Sequence, residues 1–557
     1  MKEKVIVALE KVVDLRKDEI LSLIEIPPDS KLGDYAFPCF TLAKGFKKNP
    51  AEIAKKLSKK IKSKNFEKIE AIGPYVNFFL NRNFLTKETL KKIKKEGNKF
   101  GSSMIGKNQK ILVEFSSPNI GKPFGVHHLR STIIGNSIAN ICSRSGFNVI
   151  KLNYLGDWGT QFGKLITGYK KFGDENKLKA APIKHLLDIY IKASKDPNLE
   201  DEARLWFKKM ESGDKGALKL WKTFKSLSLK EFDKIYKELG IEFDVISGES
   251  LYNKKLKSVL LELNKKNLLE ESQGARIVNL EKYGLGVCII EKSDGTTLYA
   301  TRDIAAAIDR HKKFNYDYMF YEIGSEQRLH FKQIFKILEL LGYGWSEKLV
   351  HIDHGLYLDK DGKKFATREG RMVVMEDILK ETKDLAKKEI LKRENKISKE
   401  ELEKRASVIA LAAIFYGDLK NYRVNDVVFD LERFISFEGD TGPYLLYTYA
   451  RARSILEKAK YQKNKSYEIK NLDDLEKNLV FQLSNFPEGV NNAFNNLSPQ
   501  VIANYAFQLS QTFNEFYHAA KVIGSENEQF KLALVDSFSQ VLKNALSLLG
   551  IPVIKKM

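Results

Sequence analysis

From about residue 110 onward, short apolar runs of strand length alternate with segments whose apolar residues recur at helical spacing, and this alternation constrains the fold more than any other feature. Ile111 to Phe115 reads as a strand. Residues 128 to 142 then place Leu129, Ile133, Ile134, Ile138, Ile141 and Cys142 on one helical face, and Val149 to Tyr154 is the next strand. A strongly charged, helical stretch from about 165 to 270 interrupts the pattern, followed by a hairpin expected to turn at Asp294-Gly295. The alternation resumes with a helix from about 302, a strand Tyr318 to Ile323, a helix from 328 and a strand Leu349 to Ile352. The spacing predicts an α/β domain built on a doubly wound parallel sheet, with a helical insertion. Such sheets bind ligands at the carboxyl ends of their strands, so the segment after Phe115 and the loops after Tyr299 and Ile323 should converge.

The 557 residues suffice for roughly three or four units, each with its own core. Residues 1–105 read as an α+β amino-terminal domain. There Asn49 caps a helix, Pro50 takes its first position, Ile53, Leu57 and Ile61 share a face, and Gly73-Pro74 precedes a strand from Tyr75 to Leu80. Residues 106–375 form the sheet domain, 376–430 a helical connector and 431–557 an all-α carboxy-terminal domain. Lys and Arg exceed Asp and Glu by 94 − 72 = 22, an excess that suits a polyanion such as nucleic acid and equally suits a lysine-rich solvated surface. Cys39, Cys142 and Cys288 are far apart and form no CxxC pair, so no zinc site and no disulfide framework is expected. Apolar runs too short to span a bilayer and an amino terminus without a cleavage site point to a cytoplasmic protein away from membranes.

One phosphate motif fails. Gly101-Ser-Ser-Met-Ile-Gly106-Lys107-Asn108 nearly matches GxxxxGK[ST], but Asn108 lacks the magnesium-binding hydroxyl and the segment precedes a strand, so it reads as an interdomain linker. The stretch from Glu114 through Asn119, Lys122, Gly125, His127 and His128 to Thr132 is different. A strand leads through a Gly- and Pro-containing loop into a helix headed by two histidines, which offers backbone N–H groups, a helix dipole and imidazoles to a phosphate.

That stretch resembles the signature of class I aminoacyl-tRNA synthetases around their HIGH motif, and specifically of the arginyl-tRNA synthetases. Further blocks are similar in the family's order: Asn153 to Gly163 with Gly156 and Asp157, Leu298 to Ala307 with Tyr299 and Asp303, Gly324 to Phe331 with Gln327 and His330, and Lys364-Phe-Ala-Thr367-Arg368-Glu-Gly in place of the KMSKS loop. Ser436 to Tyr447 and the end of the chain at Met557 look like its anticodon-binding part. The resemblance implies a Rossmann-like catalytic sheet, a ligase acting in protein biosynthesis as a monomer, and ATP with magnesium as substrate. Arginine's carboxylate would attack the α-phosphate of ATP, and the arginyl-adenylate would pass to the terminal adenosine of the tRNA.

It also implies roles. Lys122, His127, His128 and Lys364 would stabilise charge on the phosphates, and Gly125, His128, Gly156, Asp157, Lys364, Thr367 and Arg368 would hold ATP. Glu114, Asn119, Tyr299, Asp303 and Gln327 would hold arginine, whose flat guanidinium calls for carboxylates and a phenol. For tRNA, Tyr444, Tyr447, Tyr517 and Met557 would meet the anticodon loop, and Asn81 and Phe84 the D-loop corner. The motif departs from HIGH at two places: Gly125 replaces the first histidine, and His127 replaces the glycine that lets adenine approach the helix, while offering the imidazole Gly125 lacks. Thr367 replaces the second KMSKS lysine, a change for which Lys122 compensates, and Glu369 makes the loop less basic. These departures leave two rivals: a tRNA-binding relative without catalysis, and a class I ligase for another amino acid. His351 and His354, three apart on a strand, would point to opposite faces and make poor metal co-ligands.

Overall fold

The computed structural model describes residues 2–293, 299–363, 374–394, 396–469 and 471–557. At its centre stand five parallel strands: β1 (Lys110–Glu114), β2 (Asn148–Leu155), β3 (Val245–Gly248), β4 (Tyr318–Gly324) and β5 (Leu349–His354). They lie in the order β5-β4-β1-β2-β3. The chain thus starts at the middle, builds outward through β2 and β3, and returns to the other side of β1. Strand order reverses between β1 and β4, which opens a crevice at their carboxyl ends.

The period-two pattern of β1 sorts its residues between two cores. Ile111 and Val113 pack with Ile133, Ile134 and Ile138 of α1 (Val126–Arg144). Leu112 faces the opposite side, where α3 (Tyr299–Phe314) and α4 (Arg328–Leu341) bring Ile304, Ile334 and Ile337. All of these side chains are buried, and each stabilises the fold by roughly 1.5–3 kcal/mol. The sheet's α1 face shares one continuous core with both ends of the chain, and Ser137 of α1 donates to the Leu548 carbonyl at 2.9 Å.

The charged insertion is not wholly helical. After α2 (Lys215–Leu239), Val245–Gly248 joins the sheet as its edge strand. Four residues with one exposed apolar side chain give too weak a periodicity to stand out among charged helices. A hairpin does form just upstream. Val287–Glu291 pairs antiparallel with the upstream Ala275–Asn279, and its turn uses Gly284 and Gly286, both at positive φ. Residues 294 and 295 lie outside the described residues, and α3 already begins at Tyr299.

In the amino-terminal region the expected cap forms: the Asn49 side chain accepts from Ala51 N–H at 2.8 Å, and the helix runs Pro50–Lys60. Tyr75–Leu80 is the middle strand of a three-stranded sheet. Residues 101–108 turn rather than cradle, with Ser103 and Gly106 N–H groups donating to carbonyls at the end of α1. Beyond the sheet come α5 (Met375–Leu391), α6 (Lys399–Leu419), α7 (Gly442–Lys458), α8 (Asp474–Asn495), α9 (Gln500–Ala519) and α10 (Glu528–Leu548). Among the described residues no helix is long and apolar enough to cross a membrane.

Candidate active site

The carboxyl ends of β1 to β5 converge on one crevice. β1 ends in Glu114, and the chain then passes through Ser116 and Ser117, both at positive φ, which is costly for residues with a side chain. Hydrogen bonds hold this bend: the Ser116 N–H donates to Ser131 Oγ of α1 at 2.9 Å, and Thr132 Oγ1 donates to Ser116 Oγ at 2.8 Å. Further on, Gly121 N–H donates to Ser228 Oγ of α2. Asn119 pairs with Gly156 as an isolated parallel bridge; a Cβ on Gly156 would lie 2.1 Å from Asn119 Oδ1, so a larger residue there would turn the Asn119 amide aside.

Gly125 caps α1, and its N–H donates to His128 Nδ1 at 3.2 Å. The imidazole is therefore held with Nε2 as its remaining donor. His128 is buried, and burial, aided by the neighbouring His127 and Lys122, lowers its pKa well below the usual value. It is a neutral donor. His127 is exposed, with its ring 3.9 Å from that of His128. Lys122 lies over the Tyr190 ring at 4.9 Å.

On the opposite face of the sheet, α3 presents a stripe: Tyr299, Asp303, then the fully buried Ala306 and Ala307, then Arg310. Tyr299 is exposed. Asp303 Oδ2 lies 2.7 Å from His330 Nε2 of α4, which orients the carboxylate. Glu114 accepts from Arg310, and burial pushes the Glu114 carboxyl up to about 7, with Arg310 pulling it down and Asp303 adding to the rise. Glu249, the first residue after β3, has its Oε2 shut off from solvent with no hydrogen-bond partner among the described residues. Burial pushes it up to about 8, with Asp303 raising it further and Arg302 opposing. Three acids thus lie within electrostatic reach of Tyr154, two of them also of Tyr299, a charge pattern suited to a cation with several donors.

Asp157 is committed elsewhere. It is fully buried, its oxygens accept from Lys225 of α2 and from the N–H and Oγ of Ser250, and its backbone carbonyl accepts from Trp221 Nε1. It ties the insertion to the sheet. Gln327 is exposed at the start of α4. Lys364, Thr367 and Arg368 lie outside the described residues. His351 and His354 point to opposite faces: His351 stacks on Phe331, and His354 is buried with Nε2 3.9 Å from Glu322. Among the described residues no three His, Cys, Asp or Glu side chains gather as metal ligands.

Sequence reading did not single out Glu249 or Arg310, and named His330 only within a matched block. Glu249 could have been found only by recognising the short Val245-Ile-Ser-Gly248 run as a strand of the sheet. Arg310 shares the stripe of Tyr299 and Asp303, and that spacing was legible.

The remaining candidates sit far from this crevice in sequence. Tyr447, Tyr517 and Met557 line a groove of about 730 Å3 together with Arg451, Lys458 and Lys556. The Arg451 guanidinium lies 4.8 Å from the Tyr447 ring and 5.0 Å from that of Tyr517. Tyr444 is half-buried beside it, its hydroxyl accepting from Asn514 at 2.8 Å. In the amino-terminal region Asn81 caps the helix Arg82–Glu96 by accepting from Phe84 N–H at 3.0 Å, and Lys4 lies over the Phe84 ring at 4.2 Å.

Comparison with known proteins agrees with this layout. The chain matches models of the class I tRNA synthetase (R) catalytic domain over residues 89–431, the arginyl-tRNA synthetase N-terminal domain over 1–80 and the DALR anticodon-binding domain over 445–557. It is 46% identical to arginine–tRNA ligase of Clostridium perfringens, with 98% of each chain covered. It is 44% identical to arginine–tRNA ligase 2 of Bacillus anthracis, with 97% of this chain and 96% of that one covered. Among solved structures it resembles the arginyl-tRNA synthetase of Thermus thermophilus, with a TM-score of 0.84, 25% identity and 100% and 99% of the two chains covered. That of Plasmodium falciparum gives 0.82, 27%, 96% and 94%.

Proposed function

The chain belongs to the class I arginyl-tRNA synthetases and ligates L-arginine to its tRNA with ATP as substrate, and from that premise we propose how its crevice divides the work. The observation that carries the proposal is the gathering of Asp303, Glu249 and Glu114 beside Tyr154 on one face of the sheet, with the imidazole-bearing start of α1 following β1 on the other. Asp303, oriented by His330, and Glu249 hold the guanidinium, whose donors in a fixed plane suit two carboxylates. Tyr299 covers the mouth, Glu114 and Asn119 complete the wall on the β1 side, and Gln327 contributes from the start of α4.

This places arginine's carboxylate toward α1. The carboxylate oxygen attacks the α-phosphate of ATP and pyrophosphate leaves; in the second step a hydroxyl of the terminal adenosine attacks the adenylate carbonyl and AMP leaves. Neither step needs a covalent bond to the enzyme. Negative charge grows on the phosphate oxygens in the first step, and the α1 N-terminus, Lys122 and the exposed His127 neutralise it. His128 contributes a hydrogen bond from Nε2 without carrying charge. Gly125 gives ATP close access to backbone, Gly156 shapes the neighbouring ATP-side loop against Asn119, and Lys364, Thr367 and Arg368 belong to the same work. Asp157 acts in ATP binding only through the loop it anchors.

The carboxy-terminal groove takes the anticodon loop, with Tyr447, Tyr517 and Met557 as the stacking surfaces and Tyr444 supporting them. Asn81 and Phe84 meet the D-loop corner. Residues 1–105, 106–375, 376–430 and 431–557 serve respectively as corner binder, catalytic domain, connector and anticodon binder. ATP enters with magnesium, and the enzyme works as a monomer in the cytoplasm. The test is pyrophosphate exchange into ATP with arginine, with and without tRNA, in the wild type and in Asp303→Asn. Exchange that requires arginine and tRNA together, and that Asp303→Asn abolishes at low arginine, supports the assignment. Retention of normal exchange by Asp303→Asn would remove the pocket from the arginine site.

A further inference from the structure

Arg310 stands two turns beyond Asp303 on the same stripe of α3, with only Ala306 and Ala307 between. It is fully buried, donates from Nη1 to Glu114, and lies with its guanidinium carbon 4.5 Å from the Tyr154 ring centroid. Its Nε and Nη2 find no hydrogen-bond acceptor among the described residues. Stability is a poor reason for such a residue. A buried ion pair gains little over an apolar pair of equal volume, and two unfilled donors make the balance worse.

We propose that Arg310 is a positioning residue for arginine binding: its guanidinium fixes the Glu114 carboxylate at the end of β1 as a charged, correctly turned group before the substrate arrives. The proposal rests on the reading of Glu114 as a wall of the arginine pocket. Glu114 is fully buried, and a carboxyl taken out of water without a counterion takes up a proton and loses its use to a cation. Arg310 supplies the counterion through a hydrogen bond to one oxygen, and leaves the other oxygen to the substrate. The groups that face this pair are Asp303 from α3 itself, Tyr316 before β4, Tyr154 from β2, Tyr321 from β4 and Tyr252 after β3. Asp303 is the single acid among them, and it opposes ionisation of Glu114, which Arg310 favours. Guanidinium suits the task better than ammonium, because it keeps its charge when buried and sits over the Tyr154 ring at 4.5 Å.

The experiment compares steady-state arginylation by Arg310→Gln, Arg310→Lys, Glu114→Gln and the Arg310→Gln/Glu114→Gln double variant, from about pH 6 to 9. Retained tRNA binding serves as the check of folding. Arg310→Gln should raise KM for arginine roughly 10- to 100-fold, with kcat and the KM for ATP much less affected. The pH at which KM for arginine levels off should move upward, since Glu114 has lost the charge that kept it ionised. Arg310→Lys, charged but shorter, should recover part of the KM. The double variant should be no worse than Glu114→Gln alone. A folded Arg310→Gln with wild-type KM and pH profile overturns the proposal, and so does equal loss in kcat and in the KM for ATP, or additive effects in the double variant. Should Arg310→Gln not fold, an unchanged KM and pH profile in Arg310→Lys overturns it. If Glu114→Gln itself leaves KM for arginine unchanged, the pocket reading fails and takes the proposal with it; if only Glu114→Gln raises KM, the pocket stands and Arg310 falls.

Discussion

The pocket proposed for arginine and the carboxy-terminal groove proposed for tRNA both pair aromatic rings with charge, but they do so on opposite sides of the water boundary. In the pocket Glu114, Arg310 and Tyr154 are buried, and burial pushes the Glu114 and Glu249 carboxyls up to about 7 and about 8. In the groove Tyr447 is exposed and Arg451 half-exposed, and the guanidinium rests on two tyrosine faces. The difference suits what each is proposed to read. One flat cation must be told from lysine, so a few desolvated groups of fixed geometry carry large energies. A polyanion with unstacked bases offers many weak contacts, so exposed rings and solvated cations share the load. The pocket should therefore answer to pH and to single substitutions, and the groove to salt.

The largest effect should come from Asp303→Asn, which removes a charge oriented by His330 at 2.7 Å. We expect kcat/KM for arginine to fall roughly a hundred- to a thousandfold, with tRNA binding unchanged; equal damage to tRNA binding would mean that the two regions are not independent. The next effect concerns pH. Burial first, and Asp303 next, raise Glu249 to about 8, so below that pH the free enzyme holds it protonated and an incoming guanidinium must displace the proton. KM for arginine should fall as pH rises and level off above about 8, and Glu249→Gln should raise KM there and flatten the upper part of the slope. The same shift makes this group's contribution to stability present below the ordinary carboxylate range and lost as pH climbs through about 8. Arginine should thus protect against unfolding most at high pH.

How far the sequence foretold these regions depended on the range of the interactions involved. The sheet strands β1, β2, β4 and β5 could be read because they carry apolar runs bounded by breakers, and α1 carries a clean helical period. The cap at Asn49 was legible because it is made by neighbours in the chain. Tyr299 and Asp303 could be placed together on one face of α3, but not above Glu114, since that meeting needs the sheet order. Glu249 was hidden because β3 is four residues long and pairs with β2 across the whole length of the insertion. Asp157 shows the converse: its intramolecular partners, Lys225, Trp221 and Ser250, come from an insertion whose packing no local pattern reveals.

A smaller effect is expected at the groove. Arg451→Ala removes the cation from both tyrosines and also its hydrogen bond to Asn514 at 2.6 Å, which steadies Tyr444. Tyr517→Ala removes one face. Each should raise KM for tRNA by the equivalent of about 1–3 kcal/mol, leaving the pH profile for arginine as it was. Raising salt should weaken wild-type tRNA binding steeply and arginine binding little, because the pocket's charges are screened by protein rather than ions. Salt dependence of equal steepness for both ligands would erase the contrast.

The smallest effect separates two roles of one residue. Asn81 caps the helix Arg82–Glu96, and replacing it with alanine should weaken that helix by about 1 kcal/mol, read as faster amide exchange in its first turn. Any loss of tRNA binding in Asn81→Ala could then come from the frayed helix alone. Asn81→Asp keeps an oxygen for the Phe84 N–H and favours the helix N-terminus, but sets a negative charge toward a polyanion. If Asn81 meets tRNA, this variant should preserve exchange protection while raising KM for tRNA a few-fold, more at low salt than at high. If KM for tRNA stays unchanged at low salt, Asn81 serves only as a cap, and the contrast between buried pocket and exposed nucleic-acid surface does not extend to the amino-terminal domain.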